Sequence, residues 1–338
     1  MDVEVIDLNK KDFRQGVSSP ARIFEVLGIL GRIWRKKGSC RAIYFTVSES
    51  LAGNTKDLLI YLLCFRQLPR MVIHLHGGAG MREIMLGSNR LLARLNGFFL
   101  RRMAGVIILG QRHVEVYSNC VSRERIHIVP NFAQDQLFLD QESVDAKFRK
   151  AEPLRILFLS NLLPGKGHLE LVEAFRGLDE RSRARIEIDF AGGFESERQR
   201  SKFLCLIDGA SQIRYQGTVH GEKKRQLLAQ AHIFCLPTYY PYEGQPISLL
   251  EAYASGCAVI TTDHSGIPDV FTDGVNGYEV EKRSAAALRR AIVRALTMPE
   301  DLHSMATANL RAAQLRFRTS IYARELVRIV SEVHERAG

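Results

Sequence analysis

The chain has six cysteines, Cys40, Cys64, Cys120, Cys205, Cys235 and Cys257, and no two of them stand in a C-x-x-C spacing. That excludes a sequence-local zinc or dithiol redox motif. Most lie in or beside apolar runs such as LLIYLLCF and IFCLP, and they read as small buried hydrophobes of a reducing compartment. No uninterrupted apolar run approaches the ~20 residues that a membrane-spanning helix needs. The N-terminus lacks the charged-then-apolar pattern of a secretory signal, from which a cytosolic protein is expected. There is no repeat of fixed period and no low-complexity tract. No nucleic-acid motif and no cluster of stacking aromatics is present, so binding of nucleic acid rests on charge alone and is not expected.

The chain does have the length for two domains: 338 residues, 46% of them hydrophobic, can bury two ordinary cores. The net charge of +10 is unevenly placed. Residues 1–135 hold 20 Lys/Arg against 11 Asp/Glu, while residues 136–338 hold 27 against 26. A basic first part predicts contact with something anionic: a membrane surface, a phosphorylated substrate or nucleic acid.

Short β-rich apolar runs alternate with helical patterns along the chain. Strands are predicted at Val3–Asp7, Ile43–Val47, Val72–His76, Gly105–Gly110 and Ile126–Pro130, then at Arg155–Ser160, Glu187–Ala191, Ile213–Gln216, Ile233–Leu236 and Ala258–Thr262. Continuous apolar strands with helices between them imply parallel sheets covered on both faces. Two such series imply an α/β fold of two doubly wound domains. The expected division is a first domain over 1–135, a polar linker over 136–152, a second domain over 153–315 and a terminal helix over 316–338 that packs back toward the first domain. Ser19-Pro20 reads as the start of a helix running to Lys37-Gly38, and Ser255-Gly256 as the end of another. The first domain opens with VEVIDLN and a polar segment whose one glycine is Gly16. It is therefore expected to lack the opening strand and phosphate-cradling glycine loop of its type.

The stretch 237–270, PTYYPYEGQPISLLEAYASGCAVITTDHSGIPDV, concentrates the chemistry. Glu243 and Glu251 cannot share a helix face, because Pro246 stops the helix from reaching back to Glu243. Pro246 is a natural first helical residue, and the amides around Gln245, Ile247 and Ser248, after Gly244, would then form an anion site suited to a diphosphate. Glu251 could accept both hydroxyls of a ribose and Glu243 could hold a sugar ring. Taken alone, the pair reads more readily as two solvated glutamates on an ordinary αβ unit.

The stretch resembles the retaining glycosyltransferases of family four, which have the GT-B fold of two Rossmann-like domains facing across a cleft. The resemblance rests on the two glutamates, the Gly-x-Pro between them and the LLEAYASGCAVITTDHSGIPDV that follows. DGVNGYEVE (273–281) and SNLLPGKGHLELVEAF (160–175) extend it over essentially all of residues 126–338. It implies transfer of a sugar from a UDP- or GDP-sugar to a glycan or polyprenyl-linked acceptor, with retention of configuration, as in the biosynthesis of bacterial surface polysaccharides. It implies no cofactor and no metal, and the chain has no D-x-D pair to hold one. Lys166, between Gly165 and Gly167, would stabilise charge on the leaving nucleotide, or it is a surface lysine in a turn. Where the family has an arginine five residues before this lysine, the chain has Asn161, and Arg112 is a candidate replacement cation. The resemblance places an acceptor-side or sugar-contacting histidine at His76, at the end of VIHLH, and His74 lies two residues deeper on the same side. His76 could instead be structural. Ser48 and Ser50, in VSESLAGNTKD, would line the acceptor side. A sugar-nucleotide epimerase or phosphorylase on the same fold, or a non-catalytic nucleotide-sugar-binding module, are the alternative readings.

Residues 81–105 are basic and amphipathic, with Arg82, Arg90, Arg94, Arg101 and Arg102 among Leu91, Leu92, Leu95, Phe98 and Phe99. This segment could lie on an anionic membrane face, or pack its apolar side on the core and leave its basic side solvated.

Overall fold

The computed structural model describes residues 3–8, 20–150 and 152–336. Its contacts divide the chain into two compact units. The first comprises Met1–Ile108, His113–Ile128 and Leu326–Gly338; the second comprises Leu109–Arg112 and Val129–Glu325.

In the first unit the strands are β1 (Ile43–Thr46), β2 (Met71–His74), β3 (Gly105–Ile108) and β4 (Ile126–Ile128). They pair in that order and all in parallel. The helices are α1 (Pro20–Lys36), α2 (Leu51–Leu63), α3 (Ala79–Leu86), α4 (Arg90–Leu100) and α5 (Val114–Ser118). β2 and β3 are buried along their whole length, as strands covered on both faces must be. Phe45, Ile73, Leu100, Val106 and Tyr117 share the core. Two differences from the sequence reading appear. Residues 3–8 form no strand, so the expected Val3–Asp7 strand is absent. Gly16 and the Ser19 cap lie outside the described residues. The amphipathic segment 81–105 is two helices, because the chain breaks at Gly87 and the Asn89 side chain caps α4 by accepting the Leu92 amide at 3.1 Å.

The second unit contains β5 (Leu154–Leu159), β6 (Ile186–Ala191), β7 (Ile213–Gly217), β8 (Ile233–Leu236), β9 (Ala258–Thr261) and β10 (Gly277–Glu279). Its helices are α6 (Gln141–Arg149), α7 (His168–Arg176), α8 (Glu180–Ala184), α9 (Glu197–Ile207), α10 (Gly221–Gln230), α11 (Ile247–Ala254), α12 (Ala285–Thr297) and α13 (Pro299–Arg316). α14 (Thr319–Arg336) ends the described chain. The strand order is β10-β9-β8-β5-β6-β7, all parallel. Counted from β5, this is the doubly wound order in which the chain turns one way through the first three strands and the other way through the last three. The reversal falls between β5 and β8. Ile156, Phe158, Phe190, Phe234, Leu250 and Val259 lie in the core of this unit.

Residues 136–152, read from the sequence as a linker, contain α6. Asp140 caps it by accepting the Ser143 amide at 2.7 Å, and Val144 packs on Ala306 and Leu310 of α13. The buried Lys147 ammonium donates to the Ser255 carbonyl at 2.8 Å, at the negative end of α11. The polar look of the segment comes from one solvated face; its apolar face is narrow, with Val144 as its buried residue. Of the cysteines, Cys64, Cys235 and Cys257 are buried and Cys205 is exposed.

Two histidines of the second unit are held neutral. His168 (6% exposed) is packed among Phe158, Phe194 and Phe203, and His232 (3% exposed) bonds the Arg155 amide and the Lys147 carbonyl. Burial pushes both down to about 4 from an ordinary 6.5. Below pH 6.5 the unfolded chain therefore binds protons that the folded chain refuses, and stability falls as pH drops from 6.5 toward 4. Each site contributes on the order of 3 kcal/mol across that window. The melting temperature should fall steadily on acidification through it, and His168→Leu should fall less steeply; equal slopes would contradict this assignment.

Candidate functional site

The reversal of strand order opens the carboxyl ends of β5 and β8 side by side, and the loops that leave them, 160–167 and 237–246, become neighbours. They are tied together by backbone. The Tyr239 amide donates to the Gly165 carbonyl at 2.7 Å, and Tyr239 Oη donates to Glu170 of α7 at 2.6 Å. Gly165 and Gly167 adopt φ of +91° and +86°, which side chains resist. A Cβ on Gly167 would stand 2.5 Å from the Pro237 carbonyl oxygen, so the two loops approach closer than any other residue permits.

Between these glycines Lys166 turns inward. Its Nζ lies 2.8 Å from Glu243 Oε2, and the Thr238 hydroxyl donates to the same oxygen at 3.0 Å. The ammonium also sits 4.8 Å from the centre of the Tyr240 ring. Lys166 is 9% and Glu243 7% exposed, so this is a nearly dry ion pair whose charges each need the other. The loop carrying Glu243 is fixed from the third side by the segment after β9. Ser265 Oγ donates to the Glu243 carbonyl at 2.5 Å, the Gly266 amide to the Gly244 carbonyl at 3.1 Å, and His264 Nε2 to the Tyr240 carbonyl at 2.7 Å.

α11 begins directly after this loop. Pro246 takes the capping position rather than the first helical one, and the helix starts at Ile247. Ile247 is exposed and Ser248 half-buried, so the amide end of α11 opens to solvent while Leu249 and Leu250 are buried. One turn on, Glu251 (4% exposed) receives Lys224 of α10, with Nζ to Oε1 at 2.6 Å. Sequence reasoning missed Lys224. It stands in the charged run GEKKRQ, 27 residues before its partner, and only the packing of α10 brings the two together. The amide end of α11 is thus bracketed by two lysine–glutamate pairs.

The other singled-out residues of this unit are placed differently. Gln245 is buried and its polar atoms are occupied: Oε1 accepts the Asn131 amide at 2.7 Å, and Nε2 donates to the Leu109 carbonyl at 3.2 Å. It anchors the loop to residues 109 and 131. Asn161 is exposed at the end of β5 and accepts the Gly193 amide at a long 3.4 Å. The Arg112 guanidinium is half-exposed and lies 3.4 Å from Asp263, while its amide faces the Asp269 carboxylate. That arginine already has an anionic partner.

His76, Ser48 and Ser50 lie in the first unit, beyond the carboxyl ends of β2 and β1. His76 is exposed, with its ring centre 4.0 Å from that of His74. His74 is fully buried, meets the Tyr44 hydroxyl at 2.5 Å through Nδ1, and is pushed down to about 3 by burial and by His76. Ser50 Oγ is used as the cap of α2, accepting the Gly53 amide at 3.1 Å; Ser48 donates from its amide to Asp57 at 2.6 Å. Between the two serines, Glu49 turns its carboxylate onto the Gly77 and Gly80 amides at the start of α3, and burial raises it to about 6. Nothing in the local pattern distinguishes Glu49 from any loop glutamate; its partners lie 28 and 31 residues away. Among the described residues no group of three or more His, Cys, Asp or Glu is arranged to hold a metal ion, and no helix is long and apolar enough to cross a membrane.

Similarity to known proteins bears on this geometry. The family described as "Glycosyl transferases group 1" matches residues 140–311. The amylovoran biosynthesis glycosyltransferase AmsK of Erwinia amylovora is 28% identical over 201 residues, covering 58% of this chain and 49% of that protein. The putative colanic acid biosynthesis glycosyltransferase WcaL of Escherichia coli K12 is 30% identical over 147 residues, covering 42% of this chain and 36% of that protein. The chain thus spans about half the length of the first relative and about a third of the second. Among solved structures, HepE of Anabaena in complex with UDP superposes with a TM-score of 0.71 at 15% identity, covering 90% of this chain and 82% of that one. Sucrose-phosphate synthase of Thermosynechococcus elongatus gives 0.71 at 16% identity, covering 93% and 79%. At such identities the likeness is one of fold: two parallel α/β sheets of the GT-B glycosyltransferase type. The family match, by contrast, runs over more than half of the chain and takes in Lys166, Lys224, Glu243 and Glu251, and on it the chain belongs to the glycosyl transferases group 1.

Proposed function

We propose that the protein is a retaining glycosyltransferase that moves a sugar from a UDP- or GDP-sugar to a glycan or polyprenyl-linked acceptor in the synthesis of a bacterial surface polysaccharide. One observation carries the reading: two lysine–glutamate pairs, each with a buried carboxylate, flank the amide end of α11 at the strand-order reversal of the second unit. The likeness to AmsK and WcaL, biosynthetic glycosyltransferases for amylovoran and colanic acid, supports the polysaccharide context, and the UDP and UDP-glucose complexes of HepE support a nucleotide-sugar donor.

In this reading Lys166 and the first amides of α11 hold the diphosphate, Glu251 accepts the ribose hydroxyls and Glu243 orients the sugar. A diphosphate approaching an unpaired carboxylate would be repelled, and each glutamate here already carries an ammonium. Lys166 exchanges part of its contact with Glu243 for the phosphate and follows the charge that grows there as the glycosidic bond breaks. That charge is assigned to Lys166 and the helix start, with no cofactor and no metal. The acceptor side is assigned to the first unit, with His76 and Ser48 as its contacts, and the enzyme is placed on the cytoplasmic face of the cell membrane.

The acceptor oxygen forms its bond to the anomeric carbon on the face from which the phosphate leaves. The anomeric carbon–oxygen bond breaks, and a phosphate oxygen of the donor takes the acceptor proton. A protein nucleophile is not needed, and Glu243 is weakened as one by the lysine and the hydroxyl that share its Oε2.

Neutralising one member of a buried pair leaves the other uncompensated, at a cost of about 3–5 kcal/mol, so each variant is read only with its fold checked. Glu243→Gln and Lys166→Gln should each lower turnover at least about a hundredfold with the fold intact by circular dichroism. Near-normal turnover in either folded variant would remove the central role of the pair. Lys224→Gln should weaken donor binding and leave the chemistry of bound donor little changed, read as a raised KM with kcat kept. Proton NMR of the first-formed product should show the anomeric configuration of the donor; inversion would contradict the same-face mechanism.

A further inference from the structure

A helix that lies on a protein surface buries one stripe and turns polar residues outward. α1 does not. Its inner side packs on the core and on α2 through Ile29, Leu30 and Ile33. Its outer side presents Phe24, Leu27 and Trp34, which are 73%, 56% and 62% exposed. Those three positions fall within one narrow arc of the helix, with the open Gly28 and Gly31 beside them.

The apolar arc continues onto the neighbouring elements. Lys37 lies over the Trp34 ring at 3.8 Å and donates to the Leu63 carbonyl at the end of α2 at 2.6 Å. There Leu62 is 63% exposed, followed by Phe65, whose ring stacks on Phe98 of α4 at 6.1 Å. Arg102 caps this pair, 3.8 Å from the Phe98 ring centre. Basic residues rim the band: Arg35 on α1, Arg66 after α2, and Arg94, Arg101 and Arg102 on or after α4 are all exposed. None of these five takes part in an ion pair among the described residues, unlike Arg82, Arg112 and Arg214.

We infer that the outer faces of α1, the end of α2 and α4 form one docking band for an anionic lipid surface, with Trp34, Leu62, Phe65 and Phe98 entering the acyl–headgroup boundary and the arginines meeting lipid phosphates. Aromatic tips beside unpaired arginines are the chemistry of that boundary. A second copy of the chain is disfavoured as the occupant, because a two-fold interface would press one set of unpaired arginines against the other. A nucleic acid is disfavoured because the ring faces are already taken, Phe65 by Phe98, Phe98 by Arg102 and Trp34 by Lys37. The band goes beyond the basic segment seen in the sequence by adding α1. It deepens the proposed function only in placing a lipid-linked acceptor near the enzyme.

Trp34 is the only tryptophan in the chain, so its emission reports on the band directly. Full-length protein should shift to the blue on vesicles containing phosphatidylglycerol. Its emission should be quenched by brominated acyl chains and be insensitive to phosphatidylcholine vesicles. Phe65→Ser with Phe98→Ser should weaken vesicle binding about tenfold or more. A donor-induced rise in melting temperature, read in the second unit, should persist in that variant and show that it is folded. No emission change on anionic vesicles would overturn the inference. So would an equal change on heparin, or a concentration-dependent dimer that abolishes the vesicle response. Loss of the donor response in wild-type protein, with vesicle binding kept, would count against the proposed function and leave the lipid band standing.

Discussion

The contact between the loop after β5 and the loop after β8 governs the rest of the candidate site. Parallel strands that reverse their winding must leave two loops side by side at one end of the sheet. Here the gap is closed by backbone, through the Tyr239 amide on the Gly165 carbonyl and by Gly167 against Pro237, and the closure drives Lys166 onto Glu243. Burying an ion pair is expensive, and such a pair seldom adds net stability over an apolar replacement. Its presence at this point of the sheet makes sense if a third charge is meant to join it, since an ammonium already stripped of water can pass to a phosphate with little further desolvation.

Support for α11 comes from behind. The segment 129–150 belongs wholly to the second unit, and it holds both ends of the helix. Asn131 donates two hydrogen bonds to Gln245 before the helix begins, while Lys147 and the Leu137 carbonyl hold Ser255 where it ends. The Gln245 side chain is thereby used to tie the loop before the helix to residues 109 and 131. Lys224 then neutralises Glu251 from α10. A helix start, two carboxylates and two ammonium groups are in this way fixed by packing on several elements of one unit, so their geometry does not depend on any single loop.

Much of this was legible in the sequence. The apolar runs gave nine of the ten strands within a residue or two, because strands buried on both faces have no polar alternation to blur their limits. The choice of Glu243 and Lys166 as site residues followed from the resemblance and not from spacing; their direct contact across 77 residues of sequence is a finding of the structure. What stayed hidden depended on tertiary packing. Lys224 and Glu49 look like any solvated charge until their distant partners are known. α6 reads as a linker because its buried face is little more than Val144, and α1 reads only as a helix because the exposure of Phe24, Leu27 and Trp34 cannot be read from the sequence. The expected strand at Val3–Asp7 had the right residues and no neighbour to pair with among the described strands.

The proposed function stands on the lysine–glutamate pair at the strand-order reversal as the donor's diphosphate and sugar site. A crystal structure of the full chain with a nucleoside diphosphate sugar tests it most directly. The account predicts phosphate oxygens within hydrogen-bond reach of Lys166 Nζ and the Ile247 and Ser248 amides, with the ribose on Glu251 and the sugar on Glu243. A donor bound elsewhere, with Lys166 still held only by Glu243, would contradict it.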